Sequence, residues 1–238
     1  MATIASNIQQ VHQRISRACA LSQRPVRSVT LLVVTKTFGP DAVREAFAAG
    51  ERRFGENYVQ EGIDKIAALA DLRADVEWHL IGPLQSNKTR VVAEQFDWVH
   101  SVDRLKIAQR LSEQRPAGLP PLNVCLQVNI SGEVSKSGLR PDEVPAVARD
   151  VTALPRLRLR GLMAIPEPAP TIEAQRAPHH ALRELLRSLQ SQGLALDTLS
   201  IGMSDDLEAA IAEGATIVRI GSAIFGRRPA VSAAATGS

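Results

Sequence analysis

Lys36 closes an apolar, β-branched run, Ser28-Val29-Thr30-Leu31-Leu32-Val33-Val34-Thr35-Lys36, which is followed by Thr37-Phe38-Gly39-Pro40. A run of this kind, bounded by turn residues and followed by helical spacing, reads as a strand buried on both faces. An ammonium at the carboxyl end of an interior strand is expensive to desolvate, so it needs a partner or a task. Burial lowers a lysine's pKa and frees the lone pair that a Schiff-base lysine uses. The alternative is a lysine that snorkels to solvent from a strand end. Two later stretches carry complementary chemistry: Ser200-Ile201-Gly202-Met203-Ser204 and Arg219-Ile220-Gly221-Ser222-Ala223-Ile224-Phe225-Gly226. Their glycines let backbone N–H groups approach an anion, and their serines add hydroxyl donors. Gly-Ser pairs also make ordinary turns, so position must decide between the two readings.

The elements that would position these residues alternate along the chain. Ile4, Ile8, Val11, Ile15 and Ala18 lie at helical spacing and give an amphipathic helix before the first strand. Further strands are expected around Phe54, at Val76–Ile81, Trp98–Ser101, Leu122–Ile130, Leu157–Ile165, Leu199–Ser204 and Thr216–Ile220, with a helical pattern after each of the first seven strands. Eight strands alternating with helices in 238 residues is the count of a (β/α)8 barrel. A doubly wound sheet is the alternative, but no shift in composition marks a second domain. Residues 1–228 therefore read as one barrel domain with an extra N-terminal helix, and the Ala/Ser/Thr/Gly-rich tail at 229–238 as disordered.

Composition narrows the function classes. The net charge is +3 with acidic and basic residues interspersed, and there are only eight aromatics. Neither a basic cluster nor a stacking platform for nucleic acid is present. Cys19 and Cys125 lack metal-type spacing and read as reduced, buried thiols of a cytoplasmic protein. No run reaches membrane-spanning length, and the amino terminus lacks the basic and apolar regions of a signal peptide.

In a barrel, the strand ends that would converge on one rim here are Lys36, Asn57, His79, Ser101, Asn129, Met163, Ser200 and Arg219. Phosphate sites commonly lie at the loops after the seventh and eighth strands. A lysine facing such an anchor suggests pyridoxal 5'-phosphate, with its aldehyde at Lys36 and its phosphate at strands seven and eight. Arg219 reads either as half of a structural ion pair or as a guanidinium at the pyridine nitrogen. In the second role it would keep that nitrogen unprotonated and weaken the ring as an electron sink.

Phe54-Gly55-Glu56-Asn57-Tyr58-Val59-Gln60-Glu61, Trp78-His79-Leu80-Ile81-Gly82-Pro83-Leu84-Gln85-Ser86-Asn87-Lys88 and Gly202-Met203-Ser204-Asp205-Asp206 resemble the pyridoxal phosphate homeostasis protein family. The likeness runs to Arg228, with Leu80 where Phe or Met is expected and Ser222 where Thr is common. It implies the barrel of the alanine-racemase fold type standing alone, with pyridoxal phosphate held as a Schiff base on Lys36. It further implies phosphate contacts from Ser200, Gly221 and Ser222, Arg219 at the pyridine nitrogen and Asn57 near the ring. The family is described as a cofactor carrier and regulator of vitamin B6 and amino-acid metabolism, without an established enzymatic activity. The expected protein is monomeric, with apoenzymes that use the cofactor as candidate acceptors.

The fold's racemases take a second base from a further domain and a partner subunit, and this chain ends before such a domain. Its single tyrosine, Tyr58, lies near its own rim. A weak amino-acid racemase or lyase using Lys36 as base is the competing reading, and a cofactor-free Schiff-base aldolase is a third. His79 reads as a hydrogen-bonded strand histidine or as a general acid. Lys88 and Lys136 read as solvated loop charges, with Lys136 also able to take the cofactor transiently. His179-His180 lacks nearby metal ligands. Arg156, Arg158 and Arg160 point outward between helices or form a local anion surface.

Overall fold

The computed structural model describes residues 3–132 and 137–226. Eight parallel strands close into a barrel in sequence order, and the last, β8, pairs with β1. They are β1 (Thr30–Val34), β2 (Arg53–Glu56), β3 (Glu77–Leu80), β4 (Trp98–Val102), β5 (Leu122–Gln127), β6 (Leu157–Met163), β7 (Thr198–Ser200) and β8 (Ile217–Ile220). The helices are α1 (Ile4–Leu21), α2 (Pro40–Ala48), α3 (Val59–Ala68), α4 (Thr89–Gln95), α5 (Leu105–Gln114), α6 (Val144–Thr152), α7 (Ile172–Ser191), α8 (Leu207–Ala212) and α9 (Ser222–Phe225). This is the expected (β/α)8 barrel with its extra N-terminal helix. No helix among the described residues is long and apolar enough to cross a membrane. The tail at 229–238 and Lys136 lie outside the described residues.

Two apolar cores follow from the period-two alternation of the strands. One set of side chains, such as Leu31, Val33, Phe54, Trp78 and Val99, packs against the helices. The other set, Leu32, Val34, Ile81, Trp98, Cys125, Met163 and Ile217, fills the barrel. The helix that follows β8 is only four residues long, too short to cover its flank. The amphipathic α1 supplies that cover, packing against α2, α8 and α9. It starts on a reciprocal Thr3–Ser6 capping box and is tied to α9 by Asn7 Nδ2, which donates to the Ile224 carbonyl at 2.7 Å.

Three sequence expectations change. The first strand ends at Val34, not Lys36, because the Thr35 carbonyl accepts from Lys65 Nζ (2.6 Å) and Thr37 turns at φ +69°. Arg160 does not point between helices. Its guanidinium lies 4.7 Å from the Trp98 ring centroid and pairs with Asp197 at 2.8 Å, near the amino-terminal mouth of the barrel. Leu157 and Leu159 take the helix-facing side of β6 instead. Finally, Ser101 is buried and donates to the Gly82 carbonyl at 2.6 Å, whereas its neighbour His100 points along the barrel axis.

Candidate functional site

Lys36 lies half-buried in the turn after β1. A charged cluster beneath it fixes that turn. Lys65 of α3 is 4% exposed, and its ammonium donates to the Thr35 carbonyl at 2.6 Å, to Glu56 Oε1 at 2.7 Å and to Glu61 Oε1 at 2.7 Å. Glu61 also accepts from the Thr37 N–H at 2.5 Å, and the Thr35 hydroxyl donates to Glu56. Both sides of Lys36 are thus held by one buried lysine and two carboxylates. Burial raises the Glu56 pKa, and the Lys65 charge and hydrogen bond offset only part of that rise. Lys65 escaped the sequence reading because a single lysine in a helix ordinarily signals a solvated face. Its spacing of four from Glu61 was the available clue.

Arg219 occupies the barrel interior and is 4% exposed. Its Nη1 donates to the Ser200 carbonyl (2.6 Å) and to Ser200 Oγ (2.8 Å), and its Nη2 donates to the Ala164 carbonyl (2.8 Å). No carboxylate among the described residues forms a salt bridge with it, which disfavours the structural ion pair. Burial lowers its pKa to about 10, so it stays charged at neutral pH. Ser200 is wholly buried, and its Oγ also lies 2.8 Å from His100 Nδ1. His79 is a hydrogen-bonded strand histidine, between Glu77 and His100 at 2.9 Å on each side.

The loops after β7 and β8 meet at the same rim. Ser222 Oγ and Ser204 Oγ are 3.0 Å apart, and the Ala223 N–H donates to Ser204 Oγ at 3.3 Å. The hydroxyl brought to Ser222 is therefore that of Ser204, whereas the Ser200 hydroxyl is engaged inside the barrel. Ser204 is held by its neighbours. Its carbonyl accepts from Arg14 of α1 at 2.9 Å, and Asp206 accepts from the Met203 N–H at 2.6 Å while pairing with His179 at 2.9 Å. Gly221 adjoins the end of β1, where an added Cβ would lie 3.0 Å from the Val34 carbonyl oxygen. Phe38 and Phe225 stack at 4.7 Å between ring centroids and join the Lys36 turn to α9.

Asn57 follows β2, and its Oδ1 is buried without a hydrogen-bond partner among the described residues. It borders a cavity of about 280 Å³ lined also by Ile81, Pro83, Gln127, Asn129 and Ile165. An unmet buried acceptor beside a cavity is what a polar ligand would satisfy. A lysine turn, a fixed guanidinium, a two-serine cradle and that acceptor fit an anionic aromatic aldehyde. Among the described residues no group of three or more His, Cys, Asp or Glu side chains is arranged to hold a metal ion, at His179-His180 or elsewhere. His179 is the buried partner of Asp206 instead.

A family model described as the N-terminal domain of alanine racemase matches residues 2–229. The pyridoxal phosphate homeostasis protein of Pseudomonas aeruginosa is 65% identical over 228 residues, covering 96% of this chain and 97% of the relative. The protein of the same name from Escherichia coli K12 is 54% identical over 229 residues, covering 96% and 98%. Among solved structures, PipY of Synechococcus elongatus with PLP bound superposes with a TM-score of 0.81 at 39% identity, covering 94% of this chain and 100% of that one.

Proposed function

Because the chain belongs to the alanine racemase N-terminal-domain family and, within it, to the pyridoxal phosphate homeostasis proteins, we propose that it is a pyridoxal 5'-phosphate-binding protein acting as a carrier and regulator of that cofactor. The observation that carries this reading is the shared rim of β1 and β8. Leu32 registers with Arg219 there, so the Lys36 turn, the buried guanidinium and Gly221-Ser222 are neighbours. The cofactor supplies an aldehyde that condenses reversibly with a primary amine, and the Schiff base is assigned to Lys36.

The remaining roles concern binding and orientation. Gly221, Ser222 and Ser204 are assigned to the phosphate, where hydroxyls and a close backbone approach supply donors. Arg219 is assigned to the pyridine nitrogen and Asn57 to the ring's edge. Ser200 is assigned to Arg219, because its hydroxyl already serves that guanidinium. The cluster of Lys65, Glu56 and Glu61 holds the Lys36 turn at the rim.

A carrier is favoured over a weak racemase. An arginine with a pKa near 10 keeps its proton at neutral pH, so it lends the ring nitrogen no proton and leaves the ring a poor electron sink; the fold's racemases share that feature, so the second base decides. Tyr58 is 55% exposed at the start of α3, which is no place for a fixed second base. The protein is proposed to be a monomer. The protein is proposed to act in the cytoplasm, with cofactor-requiring apoenzymes as acceptors. The test is solvent-deuterium incorporation at the α-carbon of alanine and serine by the cofactor-loaded protein. Exchange near background, with no inversion, is expected. Rapid inversion that disappears in Lys36→Ala would establish an enzyme.

A further inference from the structure

The barrel axis carries a file of hydrogen bonds that ends at Arg219 and begins at the opposite mouth. Glu77 Oε1 lies 2.9 Å from His79 Nε2, and His79 Nδ1 lies 2.9 Å from His100 Nε2. His100 Nδ1 lies 2.8 Å from Ser200 Oγ, which lies 2.8 Å from Arg219 Nη1. His79, His100 and Ser200 are at most 1% exposed, while the Glu77 side chain is 39% exposed. Only the Glu77 end reaches water.

With both imidazoles neutral, the carboxylate end fixes every hydrogen along the file. A guanidinium has donors only, and an ionised carboxylate has acceptors only. Arg219 therefore donates to Ser200 Oγ, and Glu77 accepts from His79 Nε2–H. His79 Nδ1 then accepts from His100 Nε2–H, and His100 Nδ1 accepts from the Ser200 hydroxyl. Both imidazoles are neutral and carry hydrogen on Nε2. Reversing either ring would set two hydrogens, or two lone pairs, against each other in a dry interior.

The charges facing the file agree with this order. Burial lowers the pKa of both histidines, most strongly for His100, which also faces Arg219 from β8. Glu77 and Asp97 oppose the shift at His79, and Arg53 from β2 adds to it. Near Arg219, burial pushes the Cys125 thiol of β5 up to about 12, so it is neutral, and Asp206 lies within electrostatic reach.

We propose that His79 and His100 are positioning residues for Arg219: they orient the Ser200 hydroxyl so that its lone pair receives the guanidinium, and they tie that guanidinium to Glu77 at the far mouth of the barrel. The link to a cofactor ring rests on the proposed function. The hydrogen placement does not.

The first test uses the cofactor-free protein. Long-range ¹H–¹⁵N spectra of the imidazoles, assigned with His79→Gln and His100→Gln, should show both rings neutral with hydrogen on Nε2. That pattern should hold from about pH 5.5 to 8.5, across the ordinary histidine range. Hydrogen on Nδ1 of either ring, or a titration near the ordinary histidine value, overturns the proposal.

The second test reads the absorbance maximum and dissociation constant of bound pyridoxal phosphate. His100→Phe should shift the maximum and weaken binding by about 2- to 12-fold, the loss of one net hydrogen bond. His100→Gln, which keeps a donor and an acceptor, should return both readings toward wild type. If His100→Phe does not fold, Ser200→Ala is read in the same way. A folded variant with unchanged spectrum and affinity overturns the proposal. If the wild type takes up no cofactor, the proposed function falls and the imidazole spectra alone decide the hydrogen-bond file.

Discussion

At the residue scale, the site depends on side chains whose hydrogen-bonding capacity is already committed. Ser204 and Ser222 share one contact with each other, so replacing either by Ala removes one hydroxyl from the proposed phosphate cradle. Ser204→Ala or Ser222→Ala should each weaken cofactor retention by about 0.5–1.5 kcal/mol, as read by equilibrium dialysis. Unchanged affinity in the double variant would move the phosphate elsewhere. Lys65→Met should be costlier, because it strands the buried Glu56 beside the Lys36 turn. Breaking such a pair costs about 3–5 kcal/mol in urea unfolding, and Glu56→Gln on the same background should recover part of it. Glu77 sets a pH dependence. Burial raises its pKa, but the hydrogen bond from His79 and the charge of Arg53 outweigh burial and hold it below an ordinary 4.5. A carboxylate shifted downward contributes stability that is full above about 4.5 and lost as the pH falls through its lowered pKa. Thermal melts across that window should show the loss, and Glu77→Gln should flatten it. Lys36 and Arg219 were legible because each interrupts a β-branched run with a charge. His100 was passed over in favour of Ser101, because one residue of strand phase decides which of two polar neighbours enters the barrel.

At the scale of elements, strands were read from their apolar runs, and their ends were the weak point. The stop of β1 at Val34 is set by Lys65, thirty residues distant in sequence, and no local pattern announces it. The α9 turn went unread because four residues carry no period. Gly82 shows how closely the strand-end loops pack, since a Cβ there would sit 2.0 Å from the Asn57 carbonyl oxygen. Gly82→Ala must therefore displace the Asn57 turn, with an expected loss of about 1–3 kcal/mol in stability and a parallel loss of cofactor affinity. An Asn57 turn that stays in place, seen as wild-type affinity and an unchanged melting temperature, would contradict this packing.

At the scale of the whole molecule, alternation and length were enough to give the barrel, because eight repeats of strand and helix admit few closed arrangements. What they could not give was the polarity of its interior. A file of five polar side chains between the apolar fillers becomes visible only when β3, β4, β7 and β8 face one another across the barrel. The closed barrel holds one end of that file beside the Lys36 turn, which is the reason to place the cofactor at this rim. The most direct measurement is borohydride reduction of the cofactor-loaded protein followed by peptide mass mapping. A pyridoxyl label on the peptide carrying Lys36, absent in Lys36→Ala, is the expected result. A label confined to Lys65, Lys88 or another lysine, with none at Lys36, would contradict the assignment of this rim as the cofactor site.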